Sequence, residues 1–224
     1  MKPIAHIETP FATKFGVPRQ AGLVEYESRI VFEPRYRAVE AVRCLDEFDY
    51  IWLIWGFHLA ERKTWSPTVR PPRLGGNKRV GVFASRSPFR PNPLGLSSVR
   101  LLRIEIDEIL GPVLYVSGAD LVAGTPIYDI KPYLPYADAH PDARGGFANE
   151  APAAELAVSD PLNLLQLMPR ADAEALRATL AFDPRPHYHH DPERIYVMEF
   201  GQWEVGFSVE DNVALLKNVK LMKQ

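Results

Sequence analysis

Between Gly81 and Ser97 the chain reads Gly-Val-Phe-Ala-Ser-Arg-Ser-Pro-Phe-Arg-Pro-Asn-Pro-Leu-Gly-Leu-Ser. Two arginines, an asparagine and two serines are crowded between apolar stretches that read as strands. Arg86 and Arg90 offer planar donor forks suited to a carboxylate or a phosphate. Pro88, Pro91 and Pro93 fix the path of the loop, so its polar groups are held in place before a ligand arrives. From Arg62 to Arg103 there is no Asp or Glu, yet ten of the 26 Lys and Arg residues fall in these 42 positions. The remainder of the chain then carries −12, although the whole is only −2. Such a stretch reads as an anion-binding surface, with nucleic acid as the first candidate. Pairing with acidic loops of the same chain or of a second subunit is the alternative.

Other chemistries lack their residues. There is no G-x-G-x-x-G after a strand, and Leu74-Gly75-Gly76-Asn77 lacks the Lys-Ser/Thr of a Walker loop. No G-x-S-x-G elbow is present. His187, His189 and His190 lie in a loop stiffened by Pro184, Pro186 and Pro192, without the helical spacing of a metal pair, and no metal is expected. The single cysteine, Cys44, excludes a disulfide framework and reads as a buried packing thiol. No apolar run reaches the roughly 18 residues of a membrane span, and Met1–His6 lacks the apolar stretch of a signal peptide, so a cytoplasmic protein is expected.

The elements that must position the loop are mostly strands. Residues 4–9, 29–32, 50–57, 80–84, 97–106 and 113–118 have strand composition, and 50–57 is continuous enough to be buried. Residues 35–44 have apolar spacing that predicts a short helix. These features predict a mainly β protein with an antiparallel, barrel-like core over 1–140 and no Rossmann unit. Residues 141–157 read as a linker or long loop within an Ala, Pro, Asp and Gly-rich stretch that starts at Ala137. Residues 158–224 read as a small α+β unit, with a helix over 172–180 and strands over 195–198 and 203–207. So small a unit needs the main domain to bury its apolar face. Proline, at 21 of 224 residues, is about twice the usual 5%.

The Gly81–Ser97 segment closely resembles the TsaA-like, TrmO-type family of tRNA methyltransferases. Further motifs follow in the family's order: Lys14-Phe15-Gly16-Val17-Pro18-Arg19-Gln20, Arg70-Pro71-Pro72-Arg73-Leu74-Gly75-Gly76-Asn77, Asp129-Ile130-Lys131-Pro132-Tyr133-Leu134-Pro135-Tyr136 and Asp183-Pro184-Arg185-Pro186-His187-Tyr188. Together they cover nearly the whole chain. The resemblance implies a β-barrel enzyme that uses S-adenosyl-L-methionine to methylate N6-threonylcarbamoyladenosine at position 37 of the tRNA anticodon loop. It also implies a homodimer with the cofactor near the subunit interface.

Carried over by motif, the cofactor contacts fall on Pro18, Arg19, Gln20, His58, Leu59, Arg86, Leu96, Asp120, Leu121, Val122 and Ala123. Arg86 can fork onto the methionine carboxylate. Asp120 can bond a ribose hydroxyl or an amino group, or cap the turn before Gly124. Leu96 and Val122 suit apolar walls for adenine, or plain core. His58 can bond through a ring nitrogen or simply end a strand. The family commonly has Asp-Leu-Val-Asp-Gly-Thr-Pro, whereas this chain has Ala123 in the fourth position. Arg70, Arg73, Lys78, Arg90, Asn92 and Lys131 are the candidate tRNA contacts, and the tail's Arg185, Arg194 and histidines can extend them. Asp120 and Tyr128 are conceivable proton acceptors for the target nitrogen, but no catalytic residue is assigned. A non-catalytic reader of a modified tRNA loop, or an enzyme for a small anionic substrate, remains the alternative.

Overall fold

The structure is a computed structural model that describes residues 1–60, 64–185, 191 and 193–222. Arg62, Lys63 and the expected histidine loop at His187, His189 and His190 lie outside the described residues.

Six antiparallel strands close into a barrel. They are β1 (Ala5–Glu8), β2 (Glu27–Phe32), β3 (Tyr50–Gly56), β6 (Leu94–Asp107), β7 (Gly111–Ser117) and β8 (Pro126–Pro132). The order around the barrel is β1-β2-β7-β6-β3-β8, and β8 closes it by pairing with both β1 and β3. Alternation fills the interior: Ile51, Leu53 and Trp55 of β3 point inward with Ile7, Ile30, Val99, Leu114 and Ile127. The run 50–57 is therefore buried on one face only, and Tyr50 is 45% exposed. A register shift between Leu101 and Arg103 bends β6 against β7.

Three expectations fail near the barrel. Residues 35–44 form no α-helix but separate 3-10 turns at Pro34–Tyr36 and Val39–Val42. Neither turn has a side-chain cap, and β-branched Val39 and Val42 disfavour extension. Cys44 is not buried: it is exposed, with φ of 62°, at the break before a third turn. The neighbouring Glu47 carboxylate pushes its thiol pKa upward, which opposes thiolate reactivity. Residues 80–84 are a strand only at β5 (Val80–Gly81), which pairs with β4 (Thr68–Val69) as a two-stranded ribbon. Pro67 and Pro71 bound that short partner strand, and Val82–Ala84 turns away as a 3-10 segment.

The tail builds a second sheet of order β10-β11-β12-β9, from β9 (Ala157–Ser159), β10 (Tyr196–Phe200), β11 (Trp203–Glu210) and β12 (Val213–Leu221). Helix α2 (Arg170–Ala181) lays Ala175, Leu176 and Leu180 on its apolar face; the shorter α1 (Pro135–Asp138) follows β8. This core does not belong to the tail alone. Phe11 and Val24, from the connection between β1 and β2, are buried in it, with Phe11 edge-on to Phe200 at 5.7 Å. Phe15 stacks on Phe207 at 6.3 Å. The tail thus buries its apolar face against a segment of the main chain, as its small size requires.

Candidate functional site

The Pro-Arg loop between β5 and β6 is held by its own serines. The Ser85 hydroxyl donates to the Val82 carbonyl at 2.9 Å and accepts from the Ser87 amide at 3.3 Å. The Ser87 hydroxyl in turn accepts from the Phe89 amide at 3.2 Å. Arg90 donates through Nη1 to the Ser85 carbonyl at 3.0 Å and is half-buried. Arg90 is therefore a strut of the loop in which it is also a candidate tRNA contact. Phe57 closes the far end by donating its amide to the Pro93 carbonyl at 2.9 Å.

Arg86 points from this loop toward the connection between β1 and β2. Its Nη1 donates to Gln20 Oε1 at 2.5 Å. Gln20 donates to the Arg19 carbonyl, and Arg19 donates to the Asp183 carbonyl at 3.0 Å. Pro18 is buried beneath them. Asp120, at the end of the chain leaving β7, lies within electrostatic reach of Arg86 and bonds the Ala21 amide. The Ser97 hydroxyl donates to Asp120 Oδ1 at 2.6 Å, and Trp55 Nε1 donates to that same Ser97 oxygen at 3.0 Å. Burial pushes the Asp120 pKa upward; Ser97, its own backbone, the Arg86 charge and Ala21 pull the other way. Four separated stretches, around residues 20, 55, 86–97 and 120, meet at this one carboxylate.

The indole of Trp55 lies across Gly95, its partner on β6, and a Cβ at Gly95 would collide with the ring. Glycine there lets the indole reach Ser97. Ser97 and Trp55 escaped the sequence reading. A serine inside the apolar alternation of β6 is the only local sign of them.

The other expected cofactor residues are placed unequally. Leu121 is fully buried in the barrel core, and its carbonyl accepts from the Thr9 hydroxyl at 3.0 Å. Val122 is half-buried and its carbonyl accepts from the Thr125 hydroxyl at 2.6 Å. The Ala123 amide donates to the Phe11 carbonyl at 2.8 Å, so the turn is pinned without the family's second carboxylate. Leu96 is 55% exposed and faces outward, opposite to its neighbour Ser97. His58 and Leu59 form an exposed turn whose Leu59 carbonyl accepts from Lys14.

Of the expected tRNA contacts, Arg70, Arg73, Lys78 and Asn92 are exposed on the loops around β4 and β5 or before β6. Arg73 donates to the Glu150 carbonyl. Lys131 stands apart on β8, opposite Trp52 and ion-paired with Asp129 at 2.9 Å. Among the described residues no group of three or more His, Cys, Asp or Glu could hold a metal.

The chain matches the tRNA-methyltransferase O N-terminal domain over residues 6–139 and the TrmO C-terminal domain over residues 155–221. It is 43% identical over 217 residues to the tRNA (adenine(37)-N6)-methyltransferase of Escherichia coli, covering 93% of this chain and 92% of that one. It is 48% identical over 173 residues to the protein of the same name from Eikenella corrodens, covering 77% and 97%. The crystal structure of TrmO from Pseudomonas aeruginosa superposes with a TM-score of 0.77 at 32% identity, covering 97% of each chain. With both domains matched in order and relatives similar along almost their full length, the chain belongs to the TrmO family.

Proposed function

We infer that this chain is an S-adenosylmethionine-dependent tRNA methyltransferase acting on the adenine at position 37, with the N6-threonylcarbamoyl form as its substrate. The observation that carries the reading is full-length similarity to enzymes of that name, combined with a site that suits the cofactor. Arg86 is exposed and bonded to the neutral Gln20 amide, so its guanidinium is available to a carboxylate. Asp120 is a carboxylate already sheltered from water, fit to accept from a hydroxyl or an amine. Pro18, Arg19, Gln20, His58, Leu59 and Leu96 complete the proposed binding surface, with Leu121, Val122 and Ala123 contributing main chain. S-adenosylmethionine supplies an electrophilic methyl group. The protein's part is to align the target nitrogen with it, exclude water and accept the proton that leaves that nitrogen.

The acid-free loops support tRNA binding through Arg70, Arg73, Lys78 and Asn92, with Lys131 on the barrel wall. We divide the chain into a barrel domain over 1–140, a connection over 141–157 and a tail domain over 158–224. We also place the enzyme in the cytoplasm as a homodimer. Exposed Leu102 and Ile106 on β6 favour self-association, and no described helix is long and apolar enough to cross a membrane.

Two measurements test the reading. Calorimetric titration with S-adenosylmethionine should show binding, and none at millimolar cofactor sinks it. Mass spectrometry of tRNA nucleosides from a deletion strain should show the N6-methylated nucleoside lost. An undiminished level assigns the reaction to another enzyme.

A further inference from the structure

Two large aromatic rings stand out on the surface of the basic segment. Trp65 is 52% exposed and Phe83 is 73% exposed. Their centroids are 6.4 Å apart with planes inclined by 29°, an offset stack. They flank the β4–β5 ribbon, and their mounts are fixed. The Ser66 hydroxyl donates to the Thr68 carbonyl at 2.8 Å just after Trp65. The Val82 amide donates to the Pro67 carbonyl at 2.9 Å just before Phe83, and the Val82 side chain is 1% exposed. A buried anchor thus sits next to a ring turned to solvent. Folding alone gives no reason to expose both rings.

The surroundings indicate the occupant. Arg79 donates to the Thr68 hydroxyl at 3.0 Å, placing a guanidinium on the ribbon itself. Arg70 and Lys78 are exposed on the loop that joins its strands, and no acid lies within this part of the chain. Flat apolar faces ringed by cations match RNA, whose unpaired bases stack and whose phosphates pair with Arg and Lys. A duplex hides its bases in the stack and offers such rings nothing. We propose that Trp65 and Phe83 form a stacking surface for an unpaired nucleobase of the bound RNA, the base extending the two-ring stack from the open face of Phe83. This deepens the tRNA reading and rests on it.

The test uses the full chain and fluorescence anisotropy with two labelled RNAs: a hairpin with an unpaired loop, and a blunt duplex of the same stem. Trp65→Ala and Phe83→Ala should each weaken hairpin binding about five- to hundredfold, leaving duplex binding and the salt dependence unchanged. Phe83→Tyr should restore hairpin affinity and Phe83→Leu should not, because leucine keeps apolar bulk but has no π face. Cofactor affinity should stay at the wild-type value in all variants, which shows that they fold. Equal losses on hairpin and duplex, or wild-type binding by Phe83→Leu, overturn the stacking role. So does a loss that tracks dissociation of an oligomer in sedimentation, since the rings would then be a subunit contact. If the wild-type chain binds neither RNA, the tRNA reading falls and this inference falls with it. If it binds the hairpin and Phe83→Ala binds equally well, only this inference fails.

Discussion

The Ser97 hydroxyl donates to the Asp120 carboxylate at 2.6 Å. That one bond joins β6 to the turn after β7, and it is locked from behind by the Trp55 indole. Burial makes Asp120 hold its proton more tightly in the folded chain than in the unfolded one. Its contribution to stability is therefore complete below the ordinary aspartate range and is lost as pH rises through the raised folded pKa. Asp120→Asn keeps the acceptor for Ser97 and removes the titration. Urea midpoints should coincide for variant and wild type in acid, and the variant should become the more stable as pH rises. Parallel midpoints across the whole range would show that the carboxylate bears no such strain. Ser97→Ala should cost about 1–3 kcal/mol, because it leaves both Trp55 Nε1 and the carboxylate short of a partner.

Arg86 and Arg73 separate two kinds of contact. Arg86→Ala should weaken S-adenosylmethionine binding about ten- to hundredfold in calorimetry, the loss expected for a charge-assisted hydrogen-bonded pair. Its thermal midpoint should barely move, since the side chain is exposed. Arg73→Ala should leave cofactor affinity alone, weaken tRNA binding and lower the salt slope by about one. The opposite pattern would mean that the two faces are exchanged.

Gly95→Ala should destabilise the barrel by about 1–3 kcal/mol, or more if the strand cannot shift, because the new methyl group enters the space of the Trp55 ring. Pushing the indole aside also parts it from Ser97. Near-ultraviolet circular dichroism should therefore change along with the urea midpoint. An unchanged tryptophan signal would show that the ring relaxes without losing its bond.

Phe11→Ala should cost about 3–5 kcal/mol, as for a buried phenylalanine, though its position lies just beyond β1 of the barrel. The loss should appear in the tail first, since the ring packs on Phe200. Hydrogen exchange should show β10–β12 opening at lower free energy than β3 and β6. Uniform loss across both sheets would mean that the two cores unfold as one unit.

Strands with clear apolar alternation or dense β-formers were legible in the sequence: β1, β2, β3, β6, β7, β10 and β11 fall where composition places them. The strand that closes the barrel was not. β8 is bounded by Pro126 and Pro132 and carries Asp129 and Lys131, so its composition resembles a loop. β12 runs Val-Ala-Leu-Leu before its first charge and shows no strict period of two. The short helix expected at 35–44 fails because apolar spacing without caps does not sustain a helix. The family motifs pointed to Gln20, Arg86 and Asp120. Their mutual arrangement depends on Ser97 and Trp55, which are brought together by pairing of β3 with β6, and a lone serine in the alternation of β6 is the only local trace of it.

Synthesis runs from the N-terminus, and this gives the shared core an order in time. Once β8 has emerged, every strand of the barrel is present and the barrel can close. Phe11 and Val24 still lack their partners from the tail, and Arg19 still lacks the Asp183 carbonyl. These partners reach the nascent chain only in its last third. The connection bearing Gln20, which holds Arg86, therefore gains its tail contacts only after every barrel strand has been made. A chain cut short in the tail would keep every barrel strand and lose the contacts that hold Phe11, Val24 and Arg19 beside the candidate site.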